Sequence, residues 1–282
     1  MSYALNDRFY CHEKIINFCP TGTQTTNSNS LAPIQVNEII DDVLMCAEVG
    51  ITIAHLHARD EEGKNTYKKE YFQKIIEGIK KYQPDLLISA SLSGRYFQEK
   101  GLRTEVLSLK PDFGSLTMSS LNFPSSASIN DPETILWLIE EMGTHGVLPE
   151  IECFDSGMLN YTSYLQKKGI LSGPLYINII LGNMFNAGTD LSSVADIINK
   201  IPKDAVCCFG GIGKEQLKAN ILGLLEIDGV RVGLEDNFYF HEKTKATNIE
   251  LVKRIHRIAT ELNFEIMDSK TFRTLGYGNQ IS

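Results

Sequence analysis

Eight apolar, β-branched stretches recur along the chain, and each leaves room for a helix before the next; this alternation constrains the fold more than any single motif does. They are KIINFC (14–19), ITIAHLHA (51–58), LLISASLS (86–93), FGSLTM (113–118), LPEIECFD (148–155), YINIILG (176–182), AVCCFGG (205–211) and VRVGLED (230–236). Amphipathic stretches such as PIQVNEIIDDVLMCAEVG, KKEYFQKIIEGIKKYQ, DPETILWLIEEMGTHG, LSSVADIINKIP and KEQLKANILGLLEIDG lie between them. The first, third and last of these end at glycine, a common closing residue of helices. Eight unbroken alternations in 282 residues predict an α/β fold of the (β/α)8 TIM-barrel type, one domain over residues 1–282. A doubly wound open sheet explains the count less well, and no G-x-G-x-x-G follows the first strand.

With 43% hydrophobic and 22% charged residues the chain has ample material for one core. Its start, MSYALNDRFYCHEK, lacks a basic stretch followed by an apolar one, and no run approaches the roughly 20 apolar residues of a membrane helix. The chain therefore reads as cytoplasmic, without a membrane partner. A net charge of −8 argues against nucleic acid as a partner, because phosphate backbones are met by basic surfaces. An anionic small molecule would need local help from Arg59, Arg95, Arg231 or Lys214. Arg95 reads first as a solvated loop arginine, with a counter-ion for a second substrate carboxylate as the alternative. The six cysteines (11, 19, 46, 153, 207, 208) form no C-x-x-C pair and read as reduced core or strand residues.

A barrel places its chemistry at the C-terminal ends of the strands. Those ends carry PTGTQT, His55 and His57, Ser91 and Ser93, Ser115 and Thr117, Glu150 and Glu152, LGN, GGIG, and finally Arg231, Glu235 and Asp236. Side chains alternate along a strand, so His55 and His57 project to one side, as do Arg231 and Glu235. Strands eight, one and two are neighbours in a closed barrel. Two imidazoles and a carboxylate converging on its mouth form a three-ligand site with an open position, the pattern of a catalytic divalent metal. The bland alternative is a pair of polar residues at a strand end. His12, His145, His241 and His256 read as loop or surface-helix residues.

GITIAHLHARDEEGK and VRVGLEDNFYFHEK closely resemble two motifs of the β-keto acid cleavage enzymes. PTGTQT, KPDFGSLTMSSLNF, LPEIECFDSGM and GGIGKEQL extend the resemblance from about residue 14 to residue 262. It implies a zinc-dependent barrel, typically a homotetramer, that reacts a β-keto acid with acetyl-CoA to give acetoacetate and a new acyl-CoA. Position by position, it makes His55, His57 and Glu235 the zinc ligands and Asp236 with Arg231 the acid–base pair acting on C2 of the keto acid. Ser91 and Ser115 would contact substrate, and Glu152 would lie at the floor of the site. Gly211 and Gly213, in GGIGKEQL, would suit a CoA phosphate; a tight turn that needs glycine is the equal alternative.

Three departures concern specificity. Gln24 stands where the founding enzyme has a Glu for its substrate's ammonium group, the strand-six loop reads LGNMFNAGTD instead of a GVPGG-like segment, and strand three ends SLSGR instead of STGG. An amide cannot repay the desolvation of an ammonium as a carboxylate does. Gln24 therefore predicts a preference for neutral or additionally anionic β-keto acids. A barrel amidohydrolase would want further histidines at later strand ends, which are absent from this sequence. A catalytically inactive binding barrel has no need of the whole set His55, His57, Arg231, Glu235 and Asp236.

Overall fold

The structure, a computed structural model, describes residues 12–23 and 31–279. Eight strands form the sheet: β1 (Glu13–Phe18), β2 (Ile53–Leu56), β3 (Leu87–Ala90), β4 (Phe113–Thr117), β5 (Leu148–Cys153), β6 (Leu175–Leu181), β7 (Ala205–Gly211) and β8 (Gly229–Val232). They pair in parallel in chain order, and β8 returns to β1 with Ile15 opposite Gly229 and Phe18 opposite Val232, which closes the barrel. A short strand, Glu265–Ile266, flanks β1 at its N-terminal end. The expected (β/α)8 barrel is the observed fold.

The strands are apolar almost throughout because both of their faces are covered; all seven residues of β6 are buried. The helices between them are α1 (Val36–Val49), α2 (Lys69–Lys80), α3 (Lys100–Thr104), α4 (Pro132–His145), α5 (Ser156–Lys167), α6 (Leu191–Ile198) and α7 (Gln216–Glu226), followed by α8 (Asn248–Glu261) and α9 (Ser269–Thr274). Local chemistry sets their ends. Asp131 accepts from the Thr134 N–H ahead of Pro132 to start α4, and Gly146, in the left-handed conformation at φ 70°, closes it. His256 on α8 meets the Gly50 carbonyl at 2.7 Å beyond the end of α1.

Several boundaries differ from the sequence reading, two of them for a clear local reason. The stretch read as strand to residue 236 stops at Val232, because Gly233 at φ 152° lies against β1, where a Cβ would sit 2.1 Å from the Cys19 carbonyl oxygen. The chain then turns, and the Glu235 N–H bonds to Cys19 O at 3.1 Å. The last amphipathic stretch, KEQLKANILGLLEIDG, ends as a helix at Glu226 rather than at Gly229, which instead opens β8. The main core lies between sheet and helices. A second apolar cluster closes the N-terminal end of the barrel, where Ile15, Ile53, Leu87, Phe113, Tyr176 and Cys208 meet Met267, Phe272 and Tyr277 from the C-terminal segment.

Candidate active site

His55 belongs to β2 and His57 follows its last residue, while Glu235 comes from the turn after β8. The His55 Nε2 lies 3.4 Å from His57 Nε2 and 3.9 Å from Glu235 Oε2, and His57 Nε2 lies 3.5 Å from Glu235 Oε1. One ligand atom from each falls within 4.8 Å of the others. All three residues line a cavity of about 270 Å³ at the C-terminal end of the barrel. Glu235 reaches this cluster through the turn fixed on Cys19, not through strand alternation.

The donor set suits a divalent cation. His55 Nδ1 is 2.6 Å from Glu150 Oε2. The carboxylate takes the Nδ1–H, so Nε2 faces the other two donors, the carboxylate–histidine arrangement that orients metal ligands. Burial opposes a charge on His55, but Glu150 and Glu235 outweigh it and push its pKa up to about 9, so binding a cation there would release the Nε2 proton. Burial pushes His57 down to about 4, so its imidazole is neutral and free to coordinate at pH 7. Burial also opposes the charge of Glu235, yet Arg231 and the two imidazoles hold it well below the usual carboxylate range.

Arg231, buried at 2% exposure, organises three carboxylates. Its Nε donates to Asp236 Oδ2 at 2.8 Å, one terminal nitrogen to Glu235 Oε1 at 2.7 Å and the other to Glu152 Oε1 at 3.1 Å. Burial raises the pKa of Asp236 above the ordinary value against the pull of Arg231, and it does the same for Glu152. Asp236 thus stays held in place while keeping a stronger affinity for a proton than a solvated aspartate has. It lines the same cavity as the histidines.

Beneath the cluster lies a network that the sequence reading did not assign. Glu150, fully buried, accepts from Asn17 Nδ2 at 2.5 Å, from Asn178 Nδ2 at 2.6 Å and from the Ser89 hydroxyl, besides His55. Burial opposes its ionisation, but His55, Arg231 and Ser89 take its pKa down to about 2. The signal was the E-x-E of β5, which puts Glu150 one inward step deeper than Glu152. Its asparagine partners stand on β1 and β6, far apart in sequence.

The remaining predicted residues divide. Ser91 and Gly213 line the cavity; Ser115 and Gly211 do not. Ser115 Oγ accepts from the Leu92 N–H at 2.9 Å and so fastens β4 to the loop after β3. Thr117, one inward step further, lines the cavity in its place and donates to Glu152 Oε2 at 2.8 Å. At Gly211 a Cβ would lie 2.7 Å from the Glu215 carbonyl oxygen, so its role is close packing of strand against helix. Gly213, at φ 59°, spends its N–H on the Asp236 carbonyl at 2.7 Å, and Ile212 spends its own on Leu181 O at 2.9 Å. These two N–H groups are therefore not offered to a phosphate, and the turn reading of the glycines prevails. Arg59 is buried and donates to the Ala58 and Gly22 carbonyls, while Lys214 is exposed and off the cavity wall. Arg95 is a wall residue of the cavity rather than a solvated loop arginine. Gln24 and Cys11 lie outside the described residues. The other five cysteines are buried and form no disulfide among the described residues.

Known proteins resemble this chain in sequence and in fold. The sequence model of the beta-keto acid cleavage enzyme family matches residues 13–276. The 3-keto-5-aminohexanoate cleavage enzyme of Fusobacterium nucleatum is 33% identical over 245 residues, covering 86% of this chain and 89% of that one. The 3-oxoadipate:acetyl-CoA acetyltransferase of Cupriavidus necator is 32% identical over 253 residues, 88% of each chain. Among solved structures, apo ObcA superposes with a TM-score of 0.76 at 17% identity, and a likeness at that identity speaks for the barrel fold alone. The superposition covers 88% of this chain and spans 66% of that one.

Proposed function

The chain belongs to the beta-keto acid cleavage enzyme family, and from that premise we propose that it converts a β-keto acid and acetyl-CoA into acetoacetate and a new acyl-CoA. The observation that carries this reading is the meeting, in one cavity, of a three-donor cluster and an arginine-held carboxylate of raised proton affinity.

His55, His57 and Glu235 would hold the cation, and zinc is the metal that best suits two imidazoles and one carboxylate around an open position. Bound there, it would supply Lewis-acid stabilisation of the enolate oxygen that develops as C2 loses its proton. Asp236 takes that proton. Arg231 fixes the carboxylate's direction through the 2.8 Å bond from Nε, and the charge it places there balances the proton arriving and leaving. Glu152, tied to Arg231 and Thr117, holds the guanidinium at the floor of the cavity. Ser91 offers a hydroxyl to the substrate from the loop after β3. The C2 carbon then attacks the thioester carbonyl of acetyl-CoA. CoA passes as thiolate to the former C3 carbonyl, the C2–C3 bond breaks, and the proton returns through Asp236, so that acetoacetate and acyl-CoA leave with no net redox change.

A homotetramer, implied by the sequence resemblance, and a cytoplasmic location complete this reading. No helix of the described chain is long and apolar enough to cross a membrane. The test is purified protein with acetyl-CoA and a panel of β-keto acids, following acetoacetate and acyl-CoA. Their formation in equal amounts is the expected result. Free CoA and acetate without acyl exchange would make the protein a hydrolase and overturn the proposal.

A further inference from the structure

Two guanidinium groups line the cavity, and their surroundings differ. Arg231 meets three carboxylates. Arg95 makes no ion pair among the described residues; its bonds are of another kind. A terminal nitrogen donates to Thr23 Oγ1 at 2.8 Å, and the guanidinium carbon lies 3.6 Å from the centre of the Phe123 ring. Its Nε is buried with no hydrogen-bond partner among the described residues. Residues 24–30, QTTNSNS, which follow Thr23, contain no acid. Burial lowers the proton affinity of Arg95 below the ordinary arginine value.

A half-buried cation held by one hydroxyl and one ring, with its buried Nε left over, is a costly arrangement unless an anion completes it. The two arginines also stand at different levels of the cavity. Arg231 belongs to β8 itself, whereas Arg95 lies in the loop after β3, between Thr23 after β1 and Phe123 on the hairpin after β4, and Glu235, Glu152 and Asp236 act on it only through space. The carboxylate common to all β-keto acids sits next to C2, and C2 must lie against Asp236 and the donor cluster at the strand ends. An anion at Arg95, in the loop layer, therefore belongs to the far end of the substrate.

We infer that Arg95 pairs with a second carboxylate of the substrate, so that this enzyme prefers dicarboxylic 3-oxo acids over β-keto acids ending in an alkyl group. The inference rests on the β-keto acid cleavage reading above and names the substrate class of that site. A planar guanidinium can grip a carboxylate with two parallel bonds, whereas a methyl group at the same place would bury the idle Nε and give it nothing. A site built to hydrogen-bond a substrate group rejects the analogue that lacks it.

The decisive pair is 3-oxoadipate and 3-oxohexanoate, which share six carbons and differ by a terminal carboxylate against a methyl. With saturating acetyl-CoA, the first breaks between C2 and C3 to give acetoacetate and succinyl-CoA, the second acetoacetate and butanoyl-CoA. The expected kcat/KM of the wild type favours 3-oxoadipate by about ten- to hundredfold. Arg95→Gln should reduce that ratio by a similar factor, mainly through KM, and Arg95→Lys should restore part of it. Because the ratio is taken within one variant, a partial loss of folding cancels. If Arg95→Gln lowers both acids equally, the arginine serves a shared group or the fold, and the inference falls. Wild-type preference for 3-oxohexanoate overturns it too, while leaving the reaction class standing. Acetoacetate from neither acid, nor from any other β-keto acid, removes the reaction class and the inference with it.

Discussion

The two ends of the barrel are built from the same strands and have opposite chemistry. The inward side chains at the N-terminal end are Ile15, Ile53, Leu87, Phe113 and Tyr176. Two residues further along each strand the same inward rank reads Asn17, His55, Ser89, Ser115 and Asn178. One pleat repeat thus separates a dry plug from a fully polar layer. The plug is completed by the C-terminal segment, where the Phe272 and Tyr277 rings stack with centres 4.4 Å apart. The polar layer is completed by Glu150, which gathers four donors. The contrast shows how a barrel can hold unpaired-looking charges near its mouth: the plug fixes the strands, and each buried polar group then finds a partner on a neighbouring or opposite strand.

If this division of labour holds, the largest effect on turnover and almost none on stability should come from Asp236→Asn. The amide oxygen can still accept from Arg231, so the geometry survives while the base is lost. We expect kcat to fall by about 10²–10⁴, the usual worth of a positioned base, with metal content and melting temperature near those of the wild type. Elemental analysis decides the assignment. A variant that has lost its metal would make Asp236 a ligand and displace Glu235 from that role.

Phe272→Ala probes the opposite end. Removing a fully buried ring that packs on Tyr176 and Tyr277 should cost about 3–5 kcal/mol. At roughly 2–4 °C per kcal/mol for a domain of this order, the melting temperature should drop by on the order of 10 °C. The kcat of the molecules that remain folded should stay within about threefold of the wild type, a modest change on the transition-state scale. A collapse of kcat in the folded fraction would show that the plug sets the site geometry directly, and the comparison would break.

The two ends were also unequally legible in the sequence. Strand periodicity located the barrel, and H-x-H with the acidic pair after the last strand located the cluster, because those signals are local. The plug was invisible, since Phe272 and Tyr277 meet Tyr176 only once the sheet has closed. Glu150 was visible as a strand carboxylate but its role was not, because its asparagine partners come from β1 and β6. The resemblance points to Ser115, but its hydroxyl accepts from the Leu92 N–H, and Thr117, one inward step nearer the mouth, lines the cavity. Arg95 looked solvated because SLSGR is a loop of small residues; the hairpin that carries Phe123 and covers it lies about thirty residues later.

A smaller effect is expected where the polar layer supports the mouth. Glu150→Gln removes the charge that fixes the His55 tautomer, and partners of this kind are worth about ten- to hundredfold in metal affinity. Competition against a graded set of chelators measures it. An unchanged affinity would mean that His55 is oriented by packing alone.

The smallest effect should come from a side chain that belongs to both ends. The Tyr176 ring lies in the plug, 5.4 Å from the Phe113 ring centre and 5.9 Å from that of Phe272. Its hydroxyl lies in the polar layer, accepting from Asn17 Nδ2 at 2.8 Å and donating to Asn178 Oδ1 at 3.2 Å. Tyr176→Phe keeps the ring packing and removes those two bonds together with a weaker contact to Cys208 Sγ at 3.6 Å. Asn17 then keeps one donor on Glu150 and has the other buried without a partner, a cost of about 1–2 kcal/mol. The melting temperature should fall by roughly 2–8 °C on the same conversion. Metal affinity should change by less than about threefold, because Glu150 retains Asn178, Ser89 and His55, and a net hydrogen bond is worth only about 1 kcal/mol. A loss of affinity as large as that of Glu150→Gln would mean that the hydroxyl transmits plug packing to the ligand histidine. The two ends would then be one cooperative unit rather than a support and a site.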